Sequence, residues 1–420
     1  MDKLIIEGAR PLKGEVKVSG AKNACLPILA ATLLTDEKCV IKNVPDLGDV
    51  ATMIKILHSL GINAIAKAGT ITTVPTAKNG YVTPYELVST MRASVCVLGP
   101  LLAKMKRAEV SFPGGCVIGP RPIDLHLKGL AKLGADIEIK EGFIKAKGTR
   151  LKGAHIYLGG HFGSSVLATA NVMTAAVLVK GKTTIDNAAC EPEVVDLAHF
   201  LCKMGAKISG VGSHKLKIEG VKKLHGATHK VIPDRIEAGT FMIAAAITKG
   251  DILIKEIKPG HLNCVIDVLR ETGLEIKVWK ESMSVKYKKK LKPIDLTTLP
   301  YPGFPTDLQA QMTSLMAVTD GISLVTEKIY PDRFIHISEL ARMGADIKLE
   351  GPTAIVKGVG GLSGAPVMAS DLRASAALIL AGLVAKGRTQ ISRIYHLDRG
   401  YEMIEKKMSA LGARIWRETE

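Results

Sequence analysis

Residues 111–126 read SFPGGCVIGPRPIDLH, which sets Cys116 among glycines and prolines with Arg121 close behind. A thiol near a guanidinium can cycle between thiol and thiolate near neutral pH, so this pair has the chemistry of a proton donor or a nucleophile. A proton acceptor is offered by Asp307 in YPGFPTDLQAQM, where a rigid Pro-Gly-Phe-Pro approach leads into a helix. The same acid also reads as an ordinary first-turn residue, with Thr306 and Gln309 forming a capping box. Four cations, Lys22, Arg92, Arg235 and Arg373, open helical stretches. There they run against the macrodipole by about 0.3–1 kcal/mol each, a cost that bound anions would compensate. Arg235 and Arg373 lie beside Asp234 and Asp371 and so have a local alternative, whereas Lys22 and Arg92 have no acid adjacent in sequence. GGHFGSS, residues 159–165, adds a glycine-rich turn before a helix, suited to wrapping a phosphate oxygen with backbone N–H groups. The combined chemistry holds several anionic groups, gives one proton and takes another.

Such a site needs a large frame. With 420 residues and 47% hydrophobic content, the chain exceeds what one core requires. Its seven cysteines are an odd number without metal-ligand spacing, and Met1-Asp2-Lys3-Leu4 does not read as a secretory signal. A reducing cytoplasm, no metal and no cofactor are the expectation. The longest apolar stretches, 165–179 and 378–385, fall short of the ~20 residues a membrane span needs and read as buried helices. The net charge of +17 raises nucleic acid as a partner, but aromatic content is 4% and the basic residues are dispersed, which argues against it. KYKKKLK, 286–292, reads as a solvated loop or strand edge. GKTT, 181–184, ends like a phosphate-binding loop, yet Ala176 stands where the wrapping glycine belongs.

The elements that position the site repeat. "Helix, then Gly-small-x-hydrophobic" recurs with its glycine at 61, 134, 205, 273, 344 and 412, and "strand, then Leu-x-Gly" begins near 5, 144, 218 and 356. Each unit opens with an Ala-rich helix apolar nearly all round, followed by a β-branched strand, an amphipathic helix and further strands. The fold class is therefore α/β, with two lobes of three helix-and-sheet units around buried helices. One lobe spans 22–230 and carries the Cys116 loop as a lid, since unit two is about three residues longer there than unit one. The other comprises 1–21 and 231–420, its N-terminal strands pairing with the second half.

SGAKNA, MRASVCVLGPLLA, PGGCVIGPRPIDLH, PGFPTDLQAQ and HLDRGYE together resemble the enolpyruvyl transferase family, in its branch acting on UDP-N-acetylglucosamine. The resemblance covers essentially the whole chain. It implies an inside-out α/β barrel fold in which two three-fold lobes close over a cleft holding the active site. It also implies transfer of the enolpyruvyl group of phosphoenolpyruvate to the sugar 3′-hydroxyl of UDP-N-acetylglucosamine with release of phosphate, the first committed step of peptidoglycan precursor synthesis. Carried over by motif, Lys22, Asn23, Arg121 and Arg399 are enolpyruvate-binding groups. Arg92, Arg121, Pro122, Ile123, Asp124 and Leu125, with His161, Phe162, Gly163 and Ser164, contact the sugar nucleotide. Asp307 is the base for the hydroxyl, Ile329 a uridine-side contact, and Asp371 and Arg373 line the cleft. Cys116 serves the acid side, by proton donation, a transient covalent adduct or a role in product release, and is the thiol that fosfomycin would alkylate. The sister transferase acting on shikimate 3-phosphate is the nearest alternative, and the cysteine-bearing loop argues against it.

Overall fold

The protein is described by a computed structural model over residues 2–8, 10–77, 80–112 and 123–419. It divides into two compact units, one formed by residues up to Ser19 with those from Pro233 onward, the other by Gly20 to Ile232.

In the first unit three helices, Arg235–Ile247, Gln309–Ala317 and Leu372–Gly382, each pack against the other two. Alanine, serine and threonine recur along these helices between larger apolar residues, and almost every residue is buried. A strand follows each helix, and each of these strands organises a four-stranded sheet on one plan. Asp251–Lys255 pairs antiparallel with Ser282–Lys286, which turns back to Glu275–Val278, and parallel with Lys13–Lys17 on its other edge. Ile322–Thr326 lies in the same way between Thr353–Lys357 and Leu296–Thr297. In the third sheet the place of the inner hairpin strand is taken by Lys3–Glu7, which lies antiparallel to both Arg388–Ser392 and Arg414–Glu418. The beginning of the chain thus completes the sheet built by its end. Burial alternates along Ser282–Lys286 and Asp251–Lys255, with Ile252, Ile254, Met283 and Val285 facing the helices.

Because Leu4, Ile5 and Ile6 are all fully buried in an interior strand, Ile6→Ala should cost about 2–5 kcal/mol in urea unfolding. Removal of residues 1–7 should leave no cooperatively folded unit. An unchanged unfolding midpoint for the deletion would show that the strand is dispensable.

The second unit repeats the plan with four-stranded sheets around Cys39–Lys42 and Lys182–Asp186, and with a three-stranded sheet in which Arg107–Ser111 pairs with the central strand Phe143–Lys147. All six glycines of the repeated phrase, Gly61, Gly134, Gly205, Gly273, Gly344 and Gly412, have φ between 90° and 99°. This left-handed turn, which a side chain would strain, ends each amphipathic helix and aims the chain into the next strand.

The Ala-rich helix expected after residue 89 is broken. Arg92–Val97 forms a 3-10 helix, and an α-helix runs only over Leu98–Met105. Asn171, on the helix Val166–Ala176, supplies the reason. Its Nδ2 donates to the Val95 carbonyl at 2.9 Å, and its Oδ1 accepts from the Gly99 amide at 2.9 Å. The side chain has inserted into the hydrogen bond that an unbroken α-helix would make between those two groups. A Cβ at Gly99 would stand 2.2 Å from the Asn171 carbonyl oxygen, so this approach requires glycine.

Candidate active site

Asp307 stands in a single 3-10 turn, Thr306–Leu308, directly before the buried helix Gln309–Ala317. The expected capping box does not form. Thr306 Oγ1 donates instead to Glu327 Oε2 at 2.8 Å, and the Gln309 side chain reaches Thr313. The oxygen that a capping box would use as acceptor takes its hydrogen bond from Arg333 Nη1 instead, at 3.0 Å, and a charged donor makes the stronger bond.

The Asp307 carboxylate is gripped from both sides. Oδ1 accepts from Arg333 Nη1 at 2.8 Å and Oδ2 from Arg373 Nη2 at 2.9 Å. Both guanidiniums are buried, while the Asp307 side chain is 25% exposed. Burial pushes the carboxyl up, but the Arg373 and Arg333 charges more than offset it and hold it well below the usual carboxylate range. Asp307 is therefore ionised at any physiological pH yet weakly basic. To take a proton it must first be released from part of this pairing.

The local alternative for Arg373 is not what the structure adopts. Asp371 Oδ1 caps the helix Leu372–Gly382, accepting from the amides of Arg373 and Ala374 at 2.7 and 3.2 Å, while the Arg373 guanidinium reaches Asp307 and lies 5.4 Å from the Tyr401 ring centre. Asp234 caps its helix in the same manner through the amides of Ile236 and Glu237, and Arg235 lies over the Tyr301 ring. The Ile329 amide donates to Glu327 Oε1 at 2.8 Å. Arg399 ends the 3-10 helix Ile394–Arg399 and, after burial, is the next influence lowering the neighbouring His396 imidazole. Nothing local in the sequence marks Arg333 or Glu327, because neither sits at a helix start or beside glycine.

In the other unit Lys22 is the first residue of the helix Lys22–Ala31, with half-buried Asn23 beside it. Its charge is met by an acid after all, since Nζ lies 3.1 Å from Asp49 Oδ2, both side chains being largely buried. That partner comes from the helix Gly48–Ser59 and is remote in sequence. Ile123 is buried, and Asp124 and Leu125 open the helix Asp124–Lys132. The glycine-rich turn is a two-strand hairpin of Gly159–Gly160 and Gly163–Ser164 with His161 and Phe162 at its tip. A Cβ on Gly160 would stand 3.1 Å from Leu125 Cδ1, so the hairpin lies against the start of that helix. Ser165, one residue after the hairpin, caps the next helix through the Ala168 amide.

His126 ties this region to Arg92. Asn171 Nδ2 also lies 2.8 Å from His126 Nδ1, and because its Oδ1 is committed to the Gly99 amide, the amide nitrogen is the donor and Nδ1 the acceptor. The imidazole is thus neutral, with its proton on Nε2. Burial, with the Arg92 charge adding to it, pushes it down to about 3. The sign follows directly. The unfolded state takes up this proton near pH 6.5 and the folded state does not, so stability is full above 6.5 and falls as pH drops toward 3, by up to about 1.4 kcal/mol per pH unit. Comparing urea unfolding of wild type and His126→Gln between pH 7 and 4 should show a shallower decline for the variant. Parallel declines would remove His126 as the cause.

Cys116, Arg121 and Pro122 lie outside the described residues. Burial pushes up the thiols of Cys25, Cys39, Cys96, Cys190, Cys202 and Cys264, that of Cys96 to about 12. Among the described residues no group of His, Cys, Asp and Glu is arranged to hold a metal ion, and no helix is long and apolar enough to cross a membrane.

Comparison with known proteins places this arrangement. A family model described as EPSP synthase (3-phosphoshikimate 1-carboxyvinyltransferase) matches residues 6–408. The chain is 54% identical, over the full length of both, to the UDP-N-acetylglucosamine 1-carboxyvinyltransferase of Myxococcus xanthus, and 53% identical over 99% of both to that of Methylacidiphilum infernorum. Among solved structures, the enolpyruvyl transferase NikO from Streptomyces tendae superposes with a TM-score of 0.90 at 25% identity, covering 100% of this chain and 99% of that one. EPSP synthase from Acinetobacter baumannii gives 0.77 at 18% identity over 100% of both chains, a likeness of fold. The whole chain thus belongs to the enolpyruvyl transferase family, at more than half identity to its UDP-N-acetylglucosamine 1-carboxyvinyltransferases.

Proposed function

We propose that the protein transfers the enolpyruvyl group of phosphoenolpyruvate to the 3′-hydroxyl of UDP-N-acetylglucosamine and releases phosphate, the first committed step of peptidoglycan precursor synthesis. The observation that carries the reading on the structural side is the Asp307 carboxylate held ionised between Arg333 and Arg373 at the start of a buried helix. The full-length likeness to proteins of that name supports the choice of acceptor sugar.

In the addition step the sugar O3 bonds to C2 of the enol, the methylene C3 gains a proton to become a methyl group, and the hydroxyl proton passes to a base. In the elimination step the C2–O bond to phosphate breaks and a methyl proton leaves, restoring the double bond. Asp307 takes the hydroxyl proton. Both substrates are anionic, so on binding they offer Arg333 and Arg373 further acceptors. As the guanidiniums share their charge, Asp307 becomes a better base in the loaded enzyme than in the free one. Lys22, Asn23, Arg121 and Arg399 hold the enolpyruvyl donor. Arg92, Ile123 to Leu125, Ile329 and the hairpin of His161 to Ser164 hold the sugar nucleotide. Cys116 serves the acid side, and no cofactor is needed.

Phosphate release from phosphoenolpyruvate should require UDP-N-acetylglucosamine and should not occur with shikimate 3-phosphate. Release with the shikimate ester alone would move the protein to the sister activity.

A further inference from the structure

One fully buried carboxylate has no part in the reaction as described. Glu327 is 0% exposed and follows directly on the strand Ile322–Thr326. Its Oε1 accepts from the Thr298 hydroxyl at 2.7 Å and from the amides of Ile329 and Tyr330 at 2.8 and 3.0 Å, and its Oε2 accepts from the Thr306 hydroxyl at 2.8 Å. Both hydroxyls must be donors. Thr298 Oγ1 already accepts from the Lys328 amide at 3.0 Å and Thr306 Oγ1 from Arg333 Nη1 at 3.0 Å, so each proton is left to point at the carboxylate.

Most of the repeated units turn the chain differently at this place. In four of the other five units, Asn43, Asn187, Glu256 and Arg393, which follow the corresponding strands, turn the chain through a left-handed backbone with φ of 57° or 58°, whereas Phe112, after Arg107–Ser111, does not. Glu327 is not at positive φ, and its side chain organises the turn instead. The two branches of its hydrogen bonds lead to different places. Through Thr306 it reaches Arg333 Nη1, the same nitrogen that donates to Asp307 Oδ1 at 2.8 Å. Through the amides of residues 329 and 330 it holds the segment bearing Ile329.

We propose that Glu327 is a positioning residue that sets two parts of the site at once, the Arg333–Asp307 pair by way of Thr306 and the Ile329 segment by way of its amides. This rests on the functional reading above. Glutamine at 327 keeps the volume and the acceptor oxygen but places an N–H donor where Thr306 needs an acceptor, so the relay is reversed while the packing is preserved. Valine at 306 keeps the shape of threonine and removes only the relay.

Steady-state kinetics should separate the branches. Thr306→Val should lower kcat about tenfold or more with the KM for UDP-N-acetylglucosamine unchanged, since only the proton-accepting group is displaced. Glu327→Gln should lower kcat similarly and also raise the UDP-N-acetylglucosamine KM about fivefold, the order expected for one disturbed hydrogen bond, with the phosphoenolpyruvate KM unchanged. The double variant should be no slower than Glu327→Gln, because the two residues act in one line. Thermal melts monitor folding. Should Glu327→Gln fail to fold, a kcat-only loss in Thr306→Val still carries the proposal. Wild-type kcat in Thr306→Val would overturn it, as would a Glu327→Gln enzyme whose parameters all change only in proportion to its folded fraction. A wild-type protein that releases no phosphate from phosphoenolpyruvate and UDP-N-acetylglucosamine would sink the functional reading, and this proposal with it. Active wild type with unaffected variants would sink the positioning role alone.

Discussion

Asp307→Asn should reduce turnover about 10³-fold, within the usual contribution of a positioned base, while leaving both substrates able to bind. Asparagine fits the same space, but it leaves the buried guanidiniums of Arg333 and Arg373 without their counter-charge. Breaking a buried pair in this way costs about 3–5 kcal/mol, so the free variant should unfold at lower urea concentration than wild type. Anionic substrates can restore part of the missing charge. Phosphoenolpyruvate should therefore stabilise the variant against heat by more than it stabilises wild type, a result that a merely damaged site would not give. Calorimetry decides the role. If sugar-nucleotide binding is lost along with turnover, Asp307 is a positional residue and not the base. Lys22→Ala is expected to fail differently, by weakening phosphoenolpyruvate binding and leaving Asp49 without its partner.

Cys116→Ser should lose nearly all turnover, and Cys116→Asp should retain a substantial fraction of it. A free thiol titrates at about 8.5 and a carboxyl at about 3.9, whereas a serine hydroxyl does not give up its proton near neutral pH. If the position must donate a proton or change charge, aspartate can replace cysteine and serine cannot. If it must form a carbon–sulfur bond, neither can. Fosfomycin, an epoxide, should add once to the wild type and should spare the aspartate variant. The other cysteines sharpen this test. Cys25, Cys39, Cys96 and Cys190 are buried, so exposed Cys202 and half-exposed Cys264 are the relevant competitors for the label. Mass spectrometry should find the adduct on Cys116, forming faster with UDP-N-acetylglucosamine bound. A serine variant that is active and resists fosfomycin would remove the acid role.

Local pattern carried far in this chain. The recurring Gly phrase marks six helix ends, and each of its glycines adopts the left-handed turn that only local sequence need specify. The apolar helices are buried, Lys22, Arg92, Arg235 and Arg373 open helical segments, and the first strands pair with the second half of the chain. Pattern failed where a distant side chain competed with a neighbour. Thr306 and Gln309 have the spacing of a capping box, but the Thr306 oxygen accepts from Arg333 and its proton goes to Glu327. Residues after 89 have helical composition, but Asn171 broke the helix.

What the sequence determined by itself is the repeated unit, the α/β class and the inventory of charged groups at helix starts, because period and turn chemistry act over a few residues. Which carboxylate meets which guanidinium was decided only by the tertiary structure. Arg373 passes over adjacent Asp371 for Asp307, since the Asp371 oxygen is already held by the two amides of its own helix start. Arg333 arrives at the same carboxylate from a segment ordered by Glu327. Strand register and helix packing bring these side chains together from tens of residues apart, and no spacing along the chain encodes that approach.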